Sequence, residues 1–312
     1  MPKSSSFVQC ILSFLCIFGL QCEPLTKYFK PALDKGEGHS FGGIDFIYMI
    51  NLDQRPEKFQ KSCDQLHLYN IYPYRYSAVN GWQLSIKDIN DIGLKYVQGM
   101  EGGFLATSYH EADQGKGSHE IVKNYGQTYF CHCTARGTIG IYLSHLSVLY
   151  DAYNSGYKMV WVMEDDISVI RDPRNITEYI QWINRKVGKR KWDILFTDRD
   201  IRDGNGNYTP CHGVARRPDF FPVNNPQYFV RKHISPEIDK IGARFGAHSY
   251  VIRRSGMKKI LDFSIQRKMF LPYDMEFYLP EGIQLFCITN DLVSNTPQAI
   301  SDNGNPNYLK KS

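Results

Sequence analysis

A chain of 312 residues, 42% hydrophobic and 22% charged, has material for one large or two modest cores, and this composition excludes a disordered or fibrous protein. Its net charge of +5 comes from scattered basic residues, the densest being Lys189-Arg190-Lys191, Arg216-Arg217 and Arg253-Arg254. Such a balance suits an anionic ligand and gives no indication of nucleic acid as a partner.

Lys3 precedes an apolar run from Phe7 to Leu20, broken by Gln9, Ser13 and Gly19. The run is shorter than the roughly 20 residues that span a bilayer, so residues 1–22 are expected to be a signal peptide or hydrophobic leader. That expectation points to export or the secretory pathway. The alternative is an uncleaved leader that attaches the protein peripherally at the cytoplasmic face of an inner membrane. Residues 23–42 are polar and read as a connector. Ile44 to Ile50 is then a nearly continuous apolar run after Gly42-Gly43, as a buried parallel strand requires. Pro56 suits a first helical turn, and Phe59, Cys63 and Leu66 recur at helical spacing. A second strand runs from Tyr72 to Val79 and ends at the turn signal Asn80-Gly81.

Residues 98–133 lack periodicity, carry glycines and aromatics, and are expected to be an insertion forming a lid on the acceptor side. Within them, Cys131-His132-Cys133 has no clear partner pair for a metal; Cys211-His212 is a weak one. The remaining cysteines are too sparse for a disulfide framework. Ile139, Tyr142, Leu143, Leu146, Leu149 and Tyr153 then share one helix face, which Ser155-Gly156 terminates. Met159 to Met163 is a short apolar strand, and Glu164-Asp165-Asp166 follow at its carboxyl end. A helix over 175–187 leads to a strand at Trp192–Phe196, with Asp198 and Asp200 beyond it. A strand at Ser249–Ile252 and a helix from Ser255 to about Gln266 complete the pattern. Alternating strands and helices imply an α/β sheet. One domain is expected over 43–300, with a tail at 301–312.

Three adjacent carboxylates repel one another, and ligands of open α/β sheets bind at the carboxyl ends of strands. A divalent cation, Mn²⁺ or Mg²⁺, resolves that repulsion, since such ions take carboxylate and phosphate oxygens. It would neutralise charge on a departing diphosphate.

The stretches Gly137-Thr138-Ile139-Gly140, Leu143-Ser144-His145 and Val160-Trp161-Val162-Met163-Glu164-Asp165-Asp166 together resemble glycosyltransferase family 25. That family includes bacterial lipooligosaccharide galactosyltransferases and collagen galactosyltransferases. Ile47 to Leu52 with Arg55-Pro56, Arg75 to Gly81, and Gly246 to Ile252 with Ser255-Gly256 resemble further family segments. One departure is Thr138, where the family often has Glu. The resemblance implies a GT-A-type fold, a Rossmann-like mixed sheet flanked by helices in a single catalytic domain. It also implies a UDP-sugar donor and inversion at the anomeric carbon. Residue by residue, it makes Asp166 a metal ligand and Glu164 a ligand to metal-bound water or to ribose. Asp165 becomes an orienting group, and Asn51 and Arg55 approach the nucleotide. Arg55 would pair with phosphate oxygens. Inversion needs a general base, for which Asp274 is chosen and Glu276 is second, with Asp198 and Asp200 as rivals. His145 and His248 are expected to be structural.

The expected partners are a nucleotide sugar and a saccharide or glycolipid acceptor, as in lipopolysaccharide synthesis. A hydroxylysine acceptor in a secretory lumen is the alternative, and Asn175-Ile176-Thr177 and Asn207-Tyr208-Thr209 would be glycosylation sequons only in such a compartment. A non-catalytic nucleotide-sugar-binding protein is the alternative of another class. A nucleotidyltransferase lacks support, because no Gly-rich phosphate loop stands beside the first strand.

Overall fold

The computed structural model describes residues 24–113, 116–220, 226–297, 299–304 and 306. The expected leader and most of the expected tail lie outside them. The expected connector is packed onto the domain: Leu25 is buried, and the Lys30 backbone N–H donates to Ser147 Oγ at 3.0 Å.

β1 (Phe46–Asn51) is buried along its whole length. Alternate side chains explain why. Phe46, Tyr48 and Ile50 enter one core, while Ile47 and Met49 enter the other. A strand covered on both faces needs the continuous apolar run that the sequence displays. α1 (Pro56–His67) starts on Pro56 and turns Ser62, Cys63 and Leu66 inward. β2 (Tyr74–Ser77) returns parallel to β1, with Tyr48 opposite Tyr74. α2 (Ile86–Ile92) is capped by Ser85, whose side chain accepts the Asp88 N–H.

Residues 98–133 are not a structureless loop. With β3 (Leu94–Lys95) they build an antiparallel sheet from β4 (Leu105–Tyr109), β5 (Gly117–Ile121) and β6 (Thr128–Cys131), in the order β3-β6-β4-β5. Ala106, Tyr109, Val122, Tyr129 and Phe130 join the main core. The Cys131 N–H donates to Phe270 O at 2.8 Å, tying this sheet to the rest of the domain.

α3 (Arg136–Asn154) buries Ile139, Tyr142, Leu143, Leu146 and Leu149 completely. It leads into β7 (Met159–Glu164), β8 (Ile167–Val169), α4 (Ile176–Ile183) and β9 (Ile194–Phe196). β10 (Arg231–Ser235), β11 (Ile238–Ile241), β12 (Ser249–Arg253), α5 (Arg254–Arg267), α6 (Tyr273–Glu276), β13 (Leu285–Ile288) and β14 (Val293–Asn295) follow. The main sheet has the order β10-β11-β13-β9-β12-β7-β1-β2. β7, β1 and β2 run parallel, whereas β12 is antiparallel to both β7 and β9. α3 and α5 cover one face; α1 and α4 cover the other. This is a mixed α/β sheet flanked by helices in one domain, with a GT-A-like arrangement. Among the described residues, no helix is long and apolar enough to cross a membrane.

Candidate active site

β1 and β7 lie side by side and parallel, so their carboxyl ends open on the same edge. Glu164 is the last residue of β7, and Asp165 and Asp166 occupy the turn before β8. β12 approaches β7 from its other side in the opposite direction, with Ser249 opposite Met163. The pairing continues one step further, as the Glu164 N–H donates to His248 O at 2.8 Å. His248 is thereby placed beside the acids. Glu164, Asp166 and His248 offer ligand atoms that all lie within 4.8 Å of one another. Asp166 Oδ1 is buried without a hydrogen-bond partner among the described residues, and His248 Nδ1, also buried and without a hydrogen bond, faces Glu164 Oε2 at 3.6 Å. Buried polar atoms are ordinarily paired, so these two are suited to a ligand. Two carboxylates and an imidazole form a donor set that fits a hard or borderline divalent cation.

The surroundings differentiate the three acids. Burial pushes the Glu164 carboxyl up, but its contacts with His145 and His248 outweigh this and hold it below the ordinary range. His145 is fully buried, with Nε2 3.1 Å from Glu164 Oε1 and Nδ1 3.0 Å from the Tyr250 hydroxyl. Burial lowers the basicity of His248, yet Glu164 more than compensates and takes its pKa to about 9. Burial raises Asp165 to about 7, partly opposed by a 2.6 Å hydrogen bond from Asn51 Nδ2. Burial and the neighbouring Glu164 charge raise Asp166 as well. These shifts reflect crowded carboxylates that a cation would relieve.

Two cavities meet at the acids. One, of about 100 Å³, lies between the acids, the Val79–Trp82 turn and the start of α3. The other, of about 320 Å³, shares Glu164 and Asp166 and extends to His248, Tyr273 and Asp274. Asp274 Oδ2 accepts the Gly246 N–H at 2.9 Å, and burial raises its carboxyl above the usual range. Asp274 therefore shares a cavity with the metal-binding candidates, although the two lie far apart in sequence.

A family model described as "Glycosyltransferase family 25 (LPS biosynthesis protein)" matches residues 44–276. The chain belongs to glycosyltransferase family 25. It is 24% identical over 176 residues to a "Glycosyltransferase 25 family member" of Drosophila pseudoobscura pseudoobscura, covering 56% of this chain and 24% of that protein. It is 21% identical over 263 residues to the human "Inactive glycosyltransferase 25 family member 3", covering 83% and 36%. A match to zebrafish (Danio rerio) "Procollagen galactosyltransferase 1" is 21% identical over 158 residues, covering 50% and 22%. The chain thus spans well under half the length of the curated relatives it matches.

Within this family 25 domain, several residues are placed differently from expectation. Glu276 is 2% exposed and lines neither cavity. Its carboxylate accepts from Arg217, from the Tyr142 hydroxyl and from the Phe270 and Leu271 N–H groups, so it has no free reach toward an acceptor. Asn51 is likewise buried behind the site, donating to Asp165 and to Arg55 O while accepting from Arg75. It orients Asp165 instead of facing the cavity. Arg55 does not line the cavity; its guanidinium grips Glu57 and Asp302. Asp198 is held by Arg244 at 2.9 and 3.2 Å, and Asp200 pairs with Arg231. Among the described residues, neither Cys131-His132-Cys133 nor Cys211-His212 joins a cluster able to hold a metal. His145 and His248, expected to be structural, both reach Glu164. No local spacing signals this, because β-strand pairing and helix packing bring them there.

Proposed function

We propose that this chain is a metal-dependent inverting glycosyltransferase that moves a hexose, galactose or glucose, from a UDP-sugar to an acceptor hydroxyl. The observation that carries the reading is the meeting of Glu164, Asp166 and His248 at the wall shared by two cavities, with Asp274 across the larger one. Asp166, Glu164 and His248 would hold Mn²⁺ or Mg²⁺. Such an ion supplies Lewis-acid neutralisation of the charge that grows on the diphosphate leaving group.

The chain's own residues do the rest. The smaller cavity takes the nucleoside, between Asn80, Trp82 and the α3 start. Asp165, oriented by Asn51, backs the metal carboxylates. The larger cavity takes the sugar and the acceptor. There the acceptor oxygen bonds to the anomeric carbon as the bond to the diphosphate breaks, and the hydroxyl proton passes to Asp274. Burial makes the Asp274 carboxylate a stronger base than an exposed one, which suits this task.

A lipopolysaccharide or lipooligosaccharide saccharide is one acceptor class, in line with the description of the family model. The zebrafish relative's name favours the other, a hydroxylysine of a collagen-like chain. The name of the human relative favours a third reading, a non-catalytic nucleotide-sugar-binding domain. One experiment separates them. Purified protein is incubated with a panel of UDP-sugars, with Mn²⁺ or with chelator, against a hydroxylysine-bearing collagen peptide and a truncated lipooligosaccharide. Metal-dependent transfer to either acceptor supports the enzyme and names its class. Donor binding without transfer or hydrolysis under any condition would support the non-catalytic reading.

A further inference from the structure

The segment after β14 crosses the front of the site. The Thr296 N–H donates to Asp166 O at 2.7 Å, and Ser301 and Asn303 line both cavities. Asp302 lines the smaller one, with its side chain only 8% exposed. Arg55 Nη1 donates to both Asp302 carboxylate oxygens, at 2.7 and 2.5 Å. Lys58 Nζ lies 3.4 Å from Asp302 Oδ2 and donates to Ile300 O at 2.8 Å. Trp82 Nε1 donates to Asp302 O at 3.2 Å, and Thr138 Oγ1 to Asn303 Oδ1 at 2.6 Å. The fit beneath is close: a Cβ on Gly137 would lie 2.2 Å from Asn303 O.

Two cations from α1 and its N-terminal boundary therefore converge on one carboxylate, at the wall of a cavity that also holds Glu164, Asp165 and Asp166. A carboxylate and a phosphoryl group present the same paired oxygens to a guanidinium. We propose that Asp302 is an internal substitute for the donor's diphosphate, keeping the Arg55-Lys58 subsite shut until phosphate oxygens replace it and the strap 300–303 lifts. This deepens the nucleotide-sugar reading above and rests on it. Donor affinity is then the intrinsic affinity multiplied by the fraction of molecules in which the strap is already open.

The test is calorimetric titration of the full chain with inorganic pyrophosphate in the presence of EDTA, so that no metal contributes. Asp302→Asn, which keeps the shape and removes the charge, should bind pyrophosphate about tenfold more tightly than the parent. Arg55→Gln added to that variant should abolish the gain. Gly137→Ala, whose new Cβ forces Asn303 away without altering any charge, should also tighten binding, and thermal unfolding verifies that each variant is folded. Unchanged or weaker binding in both Asp302→Asn and Gly137→Ala would overturn the proposal, because the strap would then be neutral or would contribute to holding the anion. A repeat with Mn²⁺ and UDP reports separately on Glu164, Asp166 and His248. Failure of the nucleotide reading would appear there while the pyrophosphate effect persisted.

Discussion

His145 and His248 face different oxygens of the Glu164 carboxylate and are suited to different tasks. In the proposed site His248 would offer a nitrogen to the cation, whereas His145 sits behind Glu164, held by Tyr250 and stacked on Tyr273 at 4.3 Å between ring centroids. Partners behind a metal ligand commonly set its orientation, and their loss weakens metal affinity by about 10–100-fold. His145→Ala should show a loss of that size in Mn²⁺ titrations, whereas Asp166→Ala should abolish metal-dependent UDP binding altogether. Normal Mn²⁺ affinity in both would move the metal elsewhere. Asp274→Asn should lower turnover by about 10²–10⁴, the usual span for a positioned base, with donor binding nearly unchanged. The raised pKa of Asp274 adds a sign. Activity should fall with decreasing pH at a higher pH than an ordinary carboxylate would produce, and the Asn variant should lose that limb. The acid triplet was legible in the sequence because it follows an apolar strand. The two histidines were not, since they reach Glu164 through the β7–β12 pairing and a helix packed across the sheet.

At the level of elements, the site depends on α3 resting directly on the turn after β2. Gly81 and Gly140 make this contact with backbone alone: a Cβ on Gly81 would lie 1.8 Å from Arg136 O, and one on Gly140 2.5 Å from Val79 O. Gly81→Ala should destabilise the fold by about 1–3 kcal/mol, the usual cost of overpacking, as read from urea denaturation. An unchanged midpoint would mean that the helix can shift freely. The β3-β6-β4-β5 sheet invites a second measurement. Its buried Tyr129 and Phe130 argue against the whole 98–133 segment moving as a lid. Amides of β4 and β6 should exchange slowly both with and without donor; donor-dependent protection there would restore the lid. This sheet was illegible because its strands are short and separated by polar, glycine-containing connections, so no period persisted long enough to register. β1, α3 and β7 were legible for the opposite reason: each carries an apolar pattern over its full length.

Across the whole molecule, the second acid of the Asp274-Met275-Glu276 segment has a structural task. Glu276 lies where three parts of the chain converge. Arg217, itself buried, brings in the segment before 220; Tyr142 brings in α3; and the Phe270 and Leu271 N–H groups belong to the turn into α6. Burial raises the Glu276 pKa, opposed chiefly by the Arg217 charge. Arg217 also pairs with Asp219, and the carbonyls of Arg267 and Lys268 accept from it at the end of α5. Removing Glu276 leaves Arg217 with Asp219 as its remaining counter-ion, so the cost falls toward the low end of the about 3–5 kcal/mol typical of a broken buried pair. Glu276→Ala should therefore lower unfolding stability by that amount in denaturant titrations. Asp274 is only two residues away and contacts Gly246 instead, so Asp274→Asn should cost far less stability while losing turnover. If Glu276→Ala remains fully folded at low temperature yet loses turnover per folded molecule with no change in the denaturation midpoint, Glu276 would return to consideration as the base. Retained turnover in the folded fraction, together with a lowered midpoint, would assign it to holding α3, α5 and α6 around the floor of the larger cavity.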